Sequence, residues 1–235
     1  NAVNIVGTTA QVTAALVTDS TKVSVSDATV ALDDGETPTI SQLNDIADAT
    51  DGAVTATLAA NTLANFATLA TEATDVITVT VNDDDAVNLN AETLSALGGK
   101  TAGTVTVSNA VNIVGTTAQV TAALVTDDTK VIASTATVAL DAGQTPTVSQ
   151  LNDIADATDG VVTATLAAAA LADLGALATE SDDDITITVN DGEGDTLSAT
   201  TLSALGGKTA GDVTVSNAVV ISGTQAQVTA ALVLS

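Results

Sequence analysis

The sequence predicts an α/β repeat solenoid, in which parallel β-strands and short Ala-rich helices alternate along one axis. Three observations predict it. The segment 1–17, NAVNIVGTTAQVTAALV, returns unchanged at 109–125. It returns again at 217–233, with Val220, Ser222 and Gln225 in place of Asn4, Val6 and Thr9. Starts at 1, 109 and 217 place the copies 108 residues apart, without insertion or deletion, which marks a repeat array. The third observation is a shorter cycle inside each copy, where a Val/Thr alternation, a polar turn and an apolar helical segment recur about four times.

In chain order, the first helix is signalled by Thr8-Thr9-Ala10-Gln11, a capping-box pattern that sets Val12 and Leu16 on one face. The second starts from the same box, Thr39-Ile40-Ser41-Gln42. It carries Leu43, Ile46 and Ala47 as its apolar face, with Gly52 beyond its end. A third carries Leu63, Phe66 and Leu69, and a fourth runs from Asn90 through Leu94 and Leu97 to Gly98-Gly99. Strands are expected at 23–26, 54–58, 77–81 and 104–107, where apolar and hydroxyl residues alternate. Helices of two to three turns do not survive alone, so packing must hold them.

Stacked cycles of this kind give parallel strands about 4.8 Å apart, and eight or nine of them a rod of roughly 40 Å. The organisation expected is copy one at 1–108, copy two at 109–216 and the start of a third at 217–235, one continuous segment of a longer array. A tandem of two compact α/β domains is the alternative.

Composition narrows the function. The chain has 235 residues, 4 Lys, no Arg and 29 acids, for a formal charge of -25. Such a polyanion repels nucleic acid and anionic membrane surfaces. There is no run of 18 apolar residues to span a bilayer. His and Cys are absent, so a general base and a thiol nucleophile are both missing, and no enzyme is expected. The core must come from Val, Ile, Leu and Ala with the single Phe66, which favours a thin core repeated many times.

The acids gather in turns. Asp191, Glu193 and Asp195 alternate as the carboxylates of a calcium loop do, and calcium takes six to eight oxygens. Thr196 and Leu202 stand where an EF-hand needs Gly and Glu, so the full loop is missing. In copy one Asp83 and Asp85 are kept and Val87 replaces the third acid. These five residues are the candidate structural calcium ligands, against the alternative of solvated turns that keep an apolar array soluble. A second candidate is the hydroxyl face. Thr55/Thr57, Thr78/Thr80, Thr104/Thr106, Thr163/Thr165 and Thr186/Thr188 are Thr-x-Thr pairs spaced about 6.6 Å, a surface suited to ice or an ordered glycan.

The run Val23-Ser24-Val25-Ser26-Asp27, followed by Thr39-Ile40-Ser41-Gln42-Leu43-Asn44-Asp45-Ile46 and Thr50-Asp51-Gly52, resembles repeats of very large bacterial surface proteins. Those of cyanobacteria and other marine bacteria, often found beside haemolysin-type calcium-binding repeats, are the most similar in pattern. The resemblance covers essentially the whole chain. It implies secretion, a place at the cell surface or in a filament, and calcium dependence. The Gly-Gly-x-Gly-x-Asp nonapeptide of the haemolysin type is missing here. The function expected is a self-associating structural repeat of an extracellular assembly: a surface layer, filament or adhesin stalk. The alternatives are a calcium-dependent adhesin that binds glycan and a Thr-array ice binder.

Overall fold

A computed structural model describes residues 3–18, 20, 23–126 and 130–233, and shows an α/β fold of parallel sheets with no closed barrel. By internal contact it divides into two compact units. One comprises 1–111 with 122–133, the other 112–121 with 134–235.

The first unit opens with β1 (Asn4–Gly7), α1 (Thr9–Leu16), β2 (Thr29–Leu32) and α2 (Ile40–Ala47). Next come β3 (Val54–Thr57), a 3-10 turn (Asn65–Thr68), β4 (Val76–Val81), β5 (Asn88–Asn90), α3 (Ala91–Gly98) and β6 (Val105–Val107). Its strand order is β1-β2-β3-β4-β6, ending on β8 (Val131–Ile132). Neighbouring strands are parallel, with Asn4 facing Thr29, Val30 facing Val54, Thr55 facing Val76 and Val79 facing Val105. Parallel neighbours need a crossover, and a helix or tight turn supplies each one here. The chain thus returns to its own sheet after each strand-and-helix cycle.

The second unit repeats the plan. It holds β7 (Asn112–Gly115), β9 (Thr137–Leu140), α5 (Val148–Ala155), β10 (Val162–Thr165), α6 (Leu171–Leu174) and β11 (Asp184–Val189). β12 (Thr196–Ser198), α7 (Ala199–Gly206), β13 (Val213–Val215), β14 (Val220–Ser222) and α8 (Gln225–Leu232) complete it. The helix α4 (Thr117–Leu124) falls across the division of the two units. The order β7-β9-β10-β11-β13 is parallel throughout, and β12 pairs in parallel with β14.

The expected capping boxes are made. Thr8 and Thr39 each accept the amide three residues on, from Gln11 and Gln42, and those glutamines reach back to the Thr amides at 2.9 Å. Leu43 and Ile46 are wholly buried, and Val12 is nearly so. In the sheet, β3 and β4 alternate buried and exposed residues, sending Val54, Ile77, Val79 and Val81 inward. Each fully buried aliphatic side chain contributes about 1.5–3 kcal/mol. Phe66, the sole aromatic, is 1 % exposed and packs where the second unit has Leu174.

β1, β2 and β5 are strands beyond those expected, and two expected elements take another form. The third helix is a four-residue 3-10 turn in the first unit and the four-residue α6 in the second. The segment 23–26 forms no strand, although Val131 and Ile132, the counterparts of its first two residues, form β8. β8 is a strand because β6 lies beside it, with Val131 facing Val105. Strand character here depends on a neighbour more than on alternation within the segment.

Candidate functional site

The polar side chains of this protein join one cycle to the next. A short motif, Thr-x-Gly, stands at four corners: 50–52, 101–103, 158–160 and 209–211. Thr101, 2 % exposed, accepts the amides of Ile77 and Gly103 at 2.8 Å each. Its hydroxyl lies 2.9 Å from the carbonyl oxygens of both Asp75 and Ile77, to one of which it donates. Thr209 repeats this set on Ile185, Gly211 and Asp183. Gly103 completes the corner by being small, since a Cβ there would sit 2.4 Å from the Ile77 carbonyl oxygen. At Gly52 the corresponding distance, to Ala28, is 2.2 Å.

A buried carboxylate makes a second kind of bridge. Asp75 is 4 % exposed and accepts the Val54 amide at 2.7 Å with one oxygen and the Glu72 amide at 2.8 Å with the other. Asp183, 108 residues on, does the same with Val162 and Glu180. Asn44 makes a third, donating to the Thr68 carbonyl at 2.8 Å and accepting the Ala70 amide at 2.9 Å. Asn152 repeats it on Ala176 and Ala178. Lys100 donates its ammonium to the carbonyls of Ala67 and Leu69, at the end of the 3-10 turn. Glu36 accepts the Thr9 amide at 2.8 Å, and that hydrogen bond holds its carboxyl below the ordinary range.

Of the five candidate calcium ligands, Asp83, Asp85 and Asp191 make the same kind of bridge. Asp83 turns back to accept the Leu63 amide at 2.7 Å, whereas Asp85 turns forward to the Ala110 amide at 3.0 Å. Asp191 accepts the Leu171 amide at 2.8 Å, Asp195 closes its own turn on Gly192 at 2.8 Å, and Glu193 is exposed. The turn itself is tied to the following cycle. Asn217 donates to the Asp191 carbonyl at 2.6 Å, and Gly194 donates to Ala218 at 2.7 Å. Among the described residues, no group of three or more carboxylates is placed to hold a metal ion.

The Thr rows are partly assembled. Thr57 faces Thr78 and Thr80 faces Thr106 in the first unit, while Thr165 faces Thr186 and Thr188 faces Thr214 in the second. Thr55 is flanked by Ala31 and Val76, and Thr163 by Ala139 and Asp184, so the hydroxyl lattice breaks there. Elsewhere, a groove of about 280 Å³ in the first unit is lined by Phe66, Leu97, Ala96, Glu92 and Lys100, among others. In the second copy Leu174 and Thr200 occupy the places of Phe66 and Glu92.

Local spacing in the sequence does not single out Thr101, Thr209, Asp75 or Asp183. Their signal is the Thr-x-Gly recurrence and an Asp held at the same place in both copies. No helix among the described residues is long and apolar enough to cross a membrane. Compared with known proteins, the chain matches no family model, no curated protein and no solved structure.

Proposed function

We propose that this chain is a segment of a solenoid that serves as a structural repeat of an extracellular bacterial assembly, a surface layer, filament or adhesin stalk. The observation that carries the reading is the pair of buried carboxylate bridges, Asp75 to Val54 and Asp183 to Val162, each joining one cycle to the one before. Buried polar groups at these positions are satisfied by the neighbouring cycle, and a second copy satisfies them identically. That is the economy of an array whose stability is a sum of nearest-neighbour terms. Length needs only that each cycle holds the next.

The charge supports an exterior location in the same sense as the resemblance does. A chain of net charge -25 stays soluble and repels polyanions, and it carries no cysteine whose oxidation would harm it outside the cell. Self-association into a filament or layer is the partnership this role requires.

Small-angle scattering and electron microscopy test the two halves of the proposal. In scattering, a radius of gyration that rises with concentration above the value of about 18 Å that a single compact chain of this length takes marks the assembly. Images at rising concentration should show linear or sheet-like assemblies. A compact particle that stays monomeric at every concentration overturns the reading.

A further inference from the structure

We propose that the outward face of the first unit's sheet, across β2, β3, β4, β6 and β8, docks the same face of a second chain. This rests on the structural-repeat reading and names a lateral surface for the assembly.

The face is uncharged in a chain of net charge -25. None of these five strands contains an acid or a lysine. Their alternate residues, among them Val30, Val54, Ile77, Val79 and Val105, are buried in the core. On the other side Thr55, Thr57, Val76 and Thr78 are exposed. Register sets Thr55 beside Val76, Thr57 beside Thr78, and Thr106 between Thr80 and Ile132. The charged residues stand in the turns around it, with Asp33 after β2, Asp51 before β3, Asp83 after β4 and Lys130 before β8. Further cycles add strands at the edges of a parallel sheet, so they leave this face open.

The second unit carries the same face with a different charge. Its β9, β10, β11 and β13 present Thr163, Thr165, Thr186, Thr188 and Thr214 at the matching places. However, the exposed Asp184 stands where the first unit has Val76, and the exposed Asp212 where it has Thr104. Thr104 and Asp212 each adjoin the neighbouring strand, accepting the amides of Val79 and Ile187 at 2.9 Å. One unit has thus kept its sheet face neutral where the other has two acids.

A neutral hydroxyl face fits a copy of itself. A hydroxyl both donates and accepts, so a row of Thr is complementary to the same row on a partner, which a row of carboxylates is not. Two polyanions meet with least repulsion where neither surface is charged. Val76 and Ile132, 42 % and 53 % exposed, supply apolar contact between sheets that pack about 10 Å apart. Five strands about 4.8 Å apart, each with about 16 Å of length, offer roughly 400 Å² per chain. A standard interface takes about 800 Å² per partner, so a single pair is weak and gains strength when faces are joined in an array. A face that meets its own copy closes after one pairing, so this contact gives dimers.

Sedimentation equilibrium of the full chain at rising concentration, in high sodium chloride, tests this with substitutions taken from the second unit. Val76→Asp and Thr104→Asp, alone and together, install residues that the second unit already folds with, and thermal melts check each variant. Asn65→Asp is the control, since it adds the same charge in the exposed 3-10 turn, where the second unit has Asp173. Salt screens exposed charges far more than a carboxylate shut between two faces. The wild-type chain and Asn65→Asp should dimerise alike, and Val76→Asp and Thr104→Asp each at least about tenfold more weakly. Association that survives in the double variant overturns the interface and leaves the structural reading standing. An equal loss in Asn65→Asp assigns the effect to net charge and also overturns the interface alone. A wild-type chain that is monomeric at every concentration overturns both, and if that monomer slows ice growth the face belongs to ordered water.

Discussion

The carboxylate of Asp75 accepts the amide of Val54 at 2.7 Å, from a position 4 % exposed to solvent. Val54 belongs to β3, whose next strand in the sheet is β4. The bond therefore binds the corner before β4 to the strand of the preceding cycle. Removing the acceptor leaves a buried N–H without a partner, at a cost of about 1–3 kcal/mol. Asp75→Ala should lower the unfolding free energy by that amount, and Asp75→Asn, which keeps an acceptor, by less. Urea unfolding of the three chains measures it. Equal losses for both variants show that the acceptor is not what matters.

The close approach at Gly103 predicts a contrast between glycines. A methyl group there meets the Ile77 carbonyl oxygen at 2.4 Å, whereas at Gly99 the nearest atom is 3.6 Å away. Gly103→Ala should cost about 1–3 kcal/mol, as overpacking against a fixed backbone does. Gly99→Ala should stay within roughly 0.5 kcal/mol. Thermal melts of the two variants side by side check the order, and a harmless Gly103→Ala contradicts the corner geometry.

Ala86 offers a change in the stabilising direction. It has φ +60° in the acidic turn of the first unit, and its counterpart in the second unit, Gly194, has φ +84°. A left-handed backbone costs an L-residue about 1–2 kcal/mol, and glycine avoids that strain. Part of the gain is lost to the freer unfolded chain, so Ala86→Gly should stabilise by roughly 0.5–1 kcal/mol. A melt at lower temperature than the parent's refutes it.

The helices were legible because their signals are local. Thr8 with Gln11, and Thr39 with Gln42, form boxes within one turn, and the apolar spacing of Leu43 and Ile46 is fixed by the helix itself. β3 and β4 alternate cleanly and were readable too. β1 and β2 were not. Asn4-Ile5-Val6-Gly7 and Thr29-Val30-Ala31-Leu32 carry no clean alternation, and pairing with each other makes them strands. The same distance in sequence hid the bridges. Thr101 and Asp75 act on backbone groups 21 to 26 residues away, and no rule of local spacing connects such residues. The acidic turns were visible as acids, but the directions of Asp83, Asp85 and Asp191 are set by the neighbouring cycles' amides.

Glu36 carries a pH dependence with a defined sign. The Thr9 amide lowers its folded-state pKa relative to the unfolded chain. A carboxyl lowered in this way stabilises the fold above its unfolded pKa and loses that contribution as pH falls through the folded value. Copy two supplies the control, because Gln144 accepts the Thr117 amide at 3.1 Å in the same place without a charge. Glu36→Gln should therefore unfold with a shallower dependence on pH across the acid range, and its deficit against the parent should shrink as pH drops. A constant difference at all pH values contradicts the assignment.

The last prediction concerns cations. Asp83 and Asp85 turn toward cycles on opposite sides, and Asp191 and Asp195 each give an oxygen to a backbone amide. The net charge of -25 makes any salt stabilising, because screening weakens repulsion among exposed carboxylates whatever the cation. Melting curves in calcium, in sodium at equal ionic strength and in chelator separate screening from binding. Equal midpoints are expected where the turns act only through their hydrogen bonds. A ligand bound by the folded chain alone would add about 2.7 kcal/mol at a hundredfold excess over its dissociation constant. A rise of that kind, specific to calcium, reversed by chelator and reduced in Glu193→Gln, assigns a cation to Asp191, Glu193 and Asp195. Glu193→Gln is the informative substitution, since its exposed carboxylate closes no turn and its loss leaves the hydrogen bonds of Asp191 and Asp195 in place.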